Sequence, residues 1–244
     1  MTAPALREAA REDTVVIIPL GATEQHGPHL PTQVDWRLAY EVSLRAARLM
    51  HGRQRALVTP AIPFGMSEHH MSLGGTLTLN FTTMSAVVGC IVRSAARHGF
   101  KRIFVLNGHG GNIAALETII TELTIELKLP LACGTYWQIA IDSIRKIMEK
   151  QTLLLHACEA ETSMMMVVAP DCVRKDKMAE AHGANLTAAT ALARPLHTWL
   201  SFADLTPSGV AGDARKSTAA KGEKLFEMAA QSIAERLIKG EPWA

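Results

Sequence analysis

The chain has 244 residues, of which 48% are hydrophobic, and its formal net charge is +2 at pH 7. This length is enough to bury the core of one α/β domain. Basic and acidic residues are interspersed, so we expect no nucleic-acid partner. We also expect neither a signal peptide nor a membrane span, because no long apolar run is present. The cysteines form no CxxC motif and predict reduced thiols in a cytoplasmic protein. They are Cys90, Cys133, Cys158 and Cys172.

Short apolar runs alternate with helical patterns along the chain. The runs predict buried parallel strands at residues 15–20, 56–62, 103–106 and 131–137. Apolar residues at helical spacing predict helices at residues 36–50, 82–98, 113–127, 156–169 and 217–239. Strands that alternate with helices form βαβ units, in which helices cover both faces of a parallel sheet. The sequence therefore predicts a single α/β domain over residues 1–244 with a mostly parallel sheet.

The first polar cluster directly follows the predicted strand 15–20 and reads GATEQHGPHLPTQVD. Sites in parallel sheets form beyond the carboxyl ends of the strands. Glu24 and His26 are two residues apart, so they face the same way in an extended segment. Asp35 follows at the start of a helix. Carboxylate and imidazole ligands suit zinc, manganese or iron(II), so a metal site is one interpretation. The other is a polar loop in which Asp35 only caps the helix.

The second cluster, NGHGGN at residues 107–112, follows the predicted strand 103–106. Three glycines surround His109, and glycine permits close approach of the backbone. One interpretation is a tight turn with a solvent-facing histidine. A turn needs only one glycine, however, and it leaves Asn107 and Asn112 unexplained. A metal ligand held in a crowded site accounts better for the small neighbours.

The third cluster, HACEAETS, spans residues 156–163. His156 and Glu159 are three residues apart, so on a helix they share one face. Glu161 would then point elsewhere and brace a loop or another ligand. Buried carboxylates need a partner, although acids at a helix start are also favoured by the helix dipole. Together the three clusters contain the ligands for two divalent ions bridged by one carboxylate.

These motifs resemble those of the creatininase (creatinine amidohydrolase) family, and so does the tail pattern GVAGDARKSTAAKGEKL. The resemblance covers roughly residues 15–235. It implies a three-layer α/β/α fold and a metal-dependent amidohydrolase with a binuclear centre. It also implies a small-molecule substrate with a C–N bond, often a cyclic amide, and a homohexamer.

The resemblance also implies which residues hold two divalent ions per chain, as zinc, manganese or iron. Glu24 and His109 would hold one ion, His26 would hold the other, and Asp35 would bridge them. In creatinine-hydrolysing members a glutamate completes the second site, at the position that Gly111 occupies here. We expect Glu159 to replace that glutamate, because a metal ion needs a fixed number of donors.

For the reaction itself, the resemblance assigns proton transfer to His156 and a place in the substrate pocket to Trp137. A second pocket tryptophan of creatinine-hydrolysing members is Thr152 in this chain. The segment 65–75 also differs from theirs, and its polar residues with a glycine pair fit a substrate lid. The alternative is a mobile surface loop. We expect this segment to contact substrate through Ser67, Glu68, His69 and His70.

The most direct interpretation is hydrolysis of an amide or cyclic amide by metal-activated water. The family also includes a formamide deformylase, a peptidase of a peptide cofactor precursor and a hydrolase of a keto-inositol ring. Ring hydrolysis of a keto-cyclitol and deformylation of a formamide are therefore alternatives, since a fold does not determine a substrate. A metal-binding subunit without catalysis is a third alternative, favoured by the missing carboxylate at Gly111.

Overall fold

The computed structural model describes residues 1–184 and 198–243. Its sheet has four parallel strands in the spatial order β2-β1-β3-β4. They are β1 Val15–Leu20, β2 Ala56–Val58, β3 Arg102–Asn107 and β4 Ala132–Thr135. From β1 the chain continues to β2 on one side and then crosses to β3 on the other side of β1. The topological switch point therefore lies between β1 and β3. Leu20 pairs with Asn107, which brings the carboxyl ends of these two strands level. A crevice at such a switch point is the usual place for a site.

Helices connect and cover the strands. The α-helices are α1 Ala3–Ala9, α2 Val34–Met50, α3 Phe81–Arg97, α4 Ile113–Leu127, α5 Tyr136–Ile139, α6 Ile141–Arg145, α7 Glu159–Val168, α8 Phe202–Leu205 and α9 Ala219–Ile238. Short 3-10 helices span Glu68–Leu73, Gly110–Asn112, Pro170–Cys172 and Lys175–Glu180. None of the helices in the described ranges is long and apolar enough to cross a membrane.

Two hydrophobic cores lie on opposite faces of the sheet. Val15 and Ile17 on β1 point into the core formed with α2, α7 and α9. Val16 and Ile18 point into the other core, which includes residues of α3 and α4. This alternation follows from the strand geometry, in which successive side chains point to opposite faces. The predicted α/β architecture with helices on both faces of a parallel sheet is confirmed.

Two of the predicted strands are shorter than expected. Pairing of β2 with β1 ends at Val58, and Ile62 makes only an isolated bridge to Leu20. The intervening segment contains Pro60, which cannot donate a hydrogen bond to a neighbouring strand. The strand predicted at 131–137 ends at Thr135, so Trp137 lies on the short helix α5.

Four predicted helix starts differ from the structure. Helix α2 begins at Val34 and α9 at Ala219, each two residues from the expected start, and the other two differences have a local cause. The helix α3 begins at Phe81, because the side chain of Asn80 caps it by accepting a hydrogen bond from the backbone N–H of Thr83 at 2.8 Å. The helix expected from residue 156 begins at Glu159. Its preceding residue Ala157 has the left-handed φ of 53°, and His156 forms an antiparallel bridge with residue 211. His156 is therefore not on the helix.

Candidate metal centre

Five buried side chains from four segments meet beyond the carboxyl ends of β1 and β3. Glu24 and His26 follow β1, and His109 follows β3. Asp35 lies in the first turn of α2 and Glu161 in the first turn of α7. Four of the five are the predicted metal ligands, and the structure brings them together. The fifth, Glu161, is the acid that the sequence analysis expected to point away.

The two carboxylate oxygens of Asp35 face two different imidazoles. Oδ1 lies 3.1 Å from Nε2 of His26, and Oδ2 lies 3.0 Å from Nδ1 of His109. Glu24 Oε1 lies 3.3 Å from the same Nδ1 of His109. Glu161 Oε1 lies 3.9 Å from Nε2 of His26. Asp35 is therefore shared by two donor sets, one with Glu24 and His109, the other with His26 and Glu161.

The ring nitrogens of His26 and His109 that face away from Asp35, called the outer nitrogens, contact backbone carbonyl oxygens. Nδ1 of His26 lies 3.1 Å from the oxygen of Glu24, and Nε2 of His109 lies 3.0 Å from the oxygen of Met66. A carbonyl oxygen only accepts, so these nitrogens carry the proton in the neutral rings. The inner nitrogens then direct lone pairs at the carboxylates. Orientation of an imidazole through its outer N–H is typical of metal-binding histidines.

Several atoms at the centre of the cluster are buried without a hydrogen-bond partner within the described parts of the chain. They are both carboxylate oxygens of Glu24, Nε2 of His26 and Oδ2 of Asp35. Burial of polar atoms without partners is costly. Carboxylate oxygens and imidazole nitrogens are ligands of zinc, manganese and iron, so the donor set fits divalent metal ions.

The electrostatics of the cluster favour positive charge. Burial by itself lowers the pKa of His26, but the charges of Asp35 and Glu161 outweigh burial and raise it to about 9. Burial also opposes the charged form of His109, whose pKa is nevertheless raised well above its ordinary value by Glu24 and Asp35. Burial raises the pKa of Glu161 to about 7, against the charge of His26. A cation bound between these groups would take the place of their protons.

Close packing explains the first glycine of NGHGGN. A Cβ atom on Gly108 would lie 2.5 Å from the backbone oxygen of Asp35 and 2.9 Å from the Cβ of Ala39. Real Cβ contacts are not this short, so only glycine lets α2 approach the end of β3. That approach places Asp35 beside His109.

The two asparagines of NGHGGN hold the strand ends and the neighbouring loop in place. Asn107 accepts a hydrogen bond from the backbone N–H of His109 at 3.1 Å and donates to its backbone oxygen at 2.7 Å. Asn112 donates to the oxygen of Gly21 at 3.0 Å and accepts from the N–H of Met66 at 2.9 Å. His109 is therefore held by side chains that a bare turn would not need.

No carboxylate fits at Gly111 in this backbone. A Cβ atom there would lie 2.3 Å from the backbone oxygen of Met66 and 2.5 Å from Nε2 of His109. The glutamate that creatinine-hydrolysing members have at this position would displace the loop that orients His109.

The prediction that Glu159 completes the second donor set is wrong. Its Oε2 accepts hydrogen bonds from the backbone N–H groups of Glu149 at 3.0 Å and Lys150 at 2.9 Å. Its Oε1 pairs with Nζ of Lys221 at 2.5 Å. Both oxygens are thus occupied by the protein, and Glu159 joins three segments of the chain.

Glu161 reaches the cluster because the helix starts later than predicted. Its Oε2 lies 3.4 Å from the backbone N–H of the N-cap residue Cys158, while its Oε1 faces His26. This is the reciprocal contact of a capping box, which points the third residue of a helix back towards its start. A helix that began at residue 156 would have turned Glu161 away.

Two further histidines lie beside Glu24. His156 contacts the backbone oxygen of Gln25 through Nε2 at 2.8 Å, and its Nδ1 lies 3.4 Å from Glu24 Oε1. His70 Nε2 lies 3.2 Å from the same oxygen, and its Nδ1 contacts the side-chain amide of Gln25 at 2.8 Å. Gln25, which contacts both histidines, could not be predicted from the sequence, because an amide between two ligand positions carries no chemical signal of its own.

A cavity of about 580 Å³ opens over the cluster. His69, His70 and Trp137 line it, as expected of substrate-binding residues. Ser67 and Glu68, which the sequence analysis also expected there, are not among its lining residues. Ser67 is buried with Oγ 3.3 Å from Nε2 of His109, and Glu68 is exposed on the 3-10 helix.

Comparison with known proteins finds relatives that match most of the chain. The creatininase family model, described as creatinine amidohydrolase, matches residues 1–237. The mycofactocin precursor peptide peptidase of Mycobacterium ulcerans is 32% identical over 93% of this chain and 86% of its own length. The creatinine amidohydrolase of Pseudomonas putida is 29% identical over 96% of this chain and 92% of its own. A solved structure described as "Creatininase Mn" is 26% identical, with a TM-score of 0.82 over 99% of this chain and 97% of its own.

The different surroundings of Glu159 and Glu161 give a matched pair of substitutions. Glu161→Gln should lower the metal content per chain, because a carboxylate that faces His26 is lost. Glu159→Gln should leave the metal content unchanged but lower the free energy of unfolding by about 1–3 kcal/mol, since a charged hydrogen-bond partner of Lys221 is removed. Elemental analysis and denaturant unfolding measure the two effects. Loss of metal from the Glu159 variant alone would reverse the assignment.

Metal affinity should depend on pH. His26, with its pKa of about 9, and Glu161, with its pKa of about 7, hold protons at neutral pH that a cation must displace. Affinity should therefore rise as the pH increases through 7 towards 9, with release of protons on binding. Calorimetric titration in buffers of different ionisation enthalpy measures both quantities. A constant affinity over this range, without proton release, would contradict the arrangement.

Proposed function

Because this chain belongs to the creatininase family, we propose that its hydrolytic site holds two divalent ions that share the carboxylate of Asp35. The chain is a metal-dependent hydrolase of the amidohydrolase type. The observation that carries the proposal of two ions is the pair of donor sets on the two oxygens of Asp35. Zinc, manganese and iron(II) all suit this mixture of carboxylates and imidazoles.

The proposed reaction is hydrolysis of an amide C–N bond. Divalent ions held by these donors would supply Lewis acidity, which lowers the pKa of bound water and polarises a carbonyl group. The chain itself positions the substrate carbonyl over the cluster, limits the access of bulk water through the cavity wall, and moves the proton. No covalent intermediate with a side chain is needed.

We assign proton transfer to His156. Its Nε2 lies 2.8 Å from the carbonyl oxygen of Gln25 and 3.1 Å from the side-chain nitrogen of the same residue, and the shorter contact favours the ring proton on this Nε2. Burial, together with the charge of His26, lowers its pKa well below the ordinary value, so the ring is neutral. The unprotonated Nδ1 lies beside Glu24 at the floor of the cavity. It can take a proton from water and return it to the leaving nitrogen.

The substitution His156→Ala tests this role. We expect both ions to remain bound while kcat falls roughly 10²–10⁴-fold, the usual effect of losing a general acid or base. Metal analysis and steady-state kinetics on the same preparation separate the two properties. Loss of an ion in this variant would instead make His156 a metal ligand, as its position near His26 and Glu161 also allows.

Two alternatives in other classes are less well supported. A non-catalytic metal-binding subunit was favoured by the missing carboxylate at Gly111, but Glu161 now supplies a carboxylate to the same donor set. Hydrolysis of a keto-cyclitol ring or a formamide would use the same centre. Two relatives with about 30% identity are named a peptidase and a creatinine amidohydrolase, which favours a C–N bond over a keto-cyclitol ring. A formamide is itself an amide and falls within the proposed class of reaction.

We also propose that the chain assembles as a homohexamer. The family resemblance implies this assembly, and closed symmetric oligomers bury apolar surface between subunits. Four apolar side chains within the segment 64–81 are exposed, which is consistent with such a contact. They are Phe64, Met71, Leu77 and Phe81.

Light scattering coupled to size exclusion tests the assembly. We expect the mass of six chains at micromolar concentration, and a lower mass for Leu77→Glu, because a charge would then be buried at the contact. Leu6→Glu, also at an exposed apolar position, is the control and should leave the mass unchanged. A monomeric mass for the unaltered protein would refute the proposal.

A further inference from the structure

We propose that the substrate carries a large, apolar and uncharged group beside the scissile amide, as an aromatic or branched aliphatic residue of a peptide-like molecule does. This inference rests on the proposed amide hydrolysis and concerns what else the site recognises. In the reaction, water adds to the amide carbonyl, the C–N bond breaks, and the products are a carboxylic acid and an amine. The evidence comes from the composition, charge and size of the cavity.

The wall of the cavity is mainly apolar, whereas its floor is polar and charged. The floor consists of the carboxylates and imidazoles already described. The wall above it is formed mainly by aromatic and aliphatic side chains, among them Trp137, Leu153, Leu154, Leu155, Trp199 and Phe202. Trp199 lines the cavity and is 61% exposed, which is unusual for so large an apolar side chain. An apolar group of the substrate would cover it.

The wall offers little to a charged or polyhydroxylated substrate. Within the described ranges, no lysine or arginine lines the cavity, and its polar wall residues outside the floor are Gln138 and Thr198. A phosphate or a free carboxylate is usually bound by arginine, lysine or several N–H donors. The hydroxyl groups of a ring sugar would lie against leucine and tryptophan without hydrogen bonds, which is costly. The described part of the cavity wall therefore favours an apolar group over a charged or polyhydroxylated one.

The size of the cavity points to more than one small ring. Its volume of about 580 Å³ lies within the range of pockets that enclose drug-sized ligands. A single small cyclic amide over the floor would leave the aliphatic wall and Trp199 in water. A peptide-like amide with a bulky side chain reaches both the floor and the wall.

A matched series of amides tests the inference. The substrates are N-acetyl-Xaa-glycinamide and N-acetyl-glycyl-Xaa-amide, with Xaa as Phe, Leu, Ala or Asp, assayed by chromatography with zinc-, manganese- and iron-loaded enzyme. In at least one series, Phe and Leu should exceed Ala in kcat/KM by roughly 10- to 100-fold, the usual effect of burying a large apolar side chain. Asp should be poorer than Ala. A preference for Ala or Asp in both series would overturn the inference.

Further assays separate this inference from the function on which it rests. Preferred hydrolysis of creatinine or of a phosphorylated formamide would refute the apolar group and leave hydrolysis of a C–N bond intact. If no substrate is hydrolysed by metal-loaded enzyme, the proposed function fails, and binding then decides the inference. The metal-loaded protein should then bind N-acetylphenylalaninamide at least about tenfold more tightly than N-acetylalaninamide, measured by tryptophan fluorescence. Equal affinities would refute the apolar site.

The variant Trp199→Ala tests whether the apolar wall determines the preference for an apolar substrate group. This side chain is exposed, so its removal should not affect folding. We expect the preference for Phe over Ala in kcat/KM to fall roughly tenfold, because the apolar contact is lost. Ile125→Ala, at an exposed position on α4 away from the cavity, is the control and should leave the preference unchanged. An unchanged preference in the Trp199 variant would contradict the assignment of the wall.

Discussion

A carboxylate buried between two imidazoles requires positive charge close to both of its oxygens. Asp35 has this environment, with His26 at 3.1 Å from one oxygen and His109 at 3.0 Å from the other. Burial opposes ionisation of Asp35, but the two histidines hold its pKa well below the ordinary range. The same two imidazoles cannot also compensate Glu24 and Glu161, and burial raises the pKa of both acids. Three acids and two histidines therefore leave a deficit of positive charge, which divalent ions remove.

The register of β1 and β3 and the glycine at position 108 bring Asp35 next to His109. The carboxyl ends of β1 and β3 are level, so residues that leave the two strands emerge side by side. Helix α2 must then start within van der Waals distance of the end of β3, and Gly108 is what permits it. A larger residue there would separate Asp35 from His109. The strand register, Gly108 and the donor set therefore depend on one another, because Asp35 must lie beside His109. This is why a strand, a glycine and a histidine follow one another in the sequence.

The part of the site that directly follows the strands could be predicted from the sequence. Glu24, His26 and His109 could be predicted because polar residues that directly follow parallel strands must gather at one edge of the sheet. The choice between Glu159 and Glu161 could not be predicted in this way. It depends on where α7 begins, and that start is determined by the left-handed backbone of Ala157 and by pairing of His156 with Ala211, far along the chain. The same limit applied to Ser67 and His69, because only the folded 3-10 helix shows which of them faces the cavity.

The apolar wall and the charged floor act on each other. The ring of Phe202 lies 4.8 Å from the ring of His156 and 4.3 Å from that of His70, so apolar surface reaches the histidine assigned to proton transfer and its neighbour. Electrostatic interactions are stronger where water is excluded. A substrate whose apolar group fills the wall would remove water from the floor and strengthen the interactions between the floor and a developing oxyanion. A small polar substrate would bind without this effect. Selectivity for an apolar group would then be expressed in kcat as well as in KM, since the interactions that it strengthens are made with the transition state.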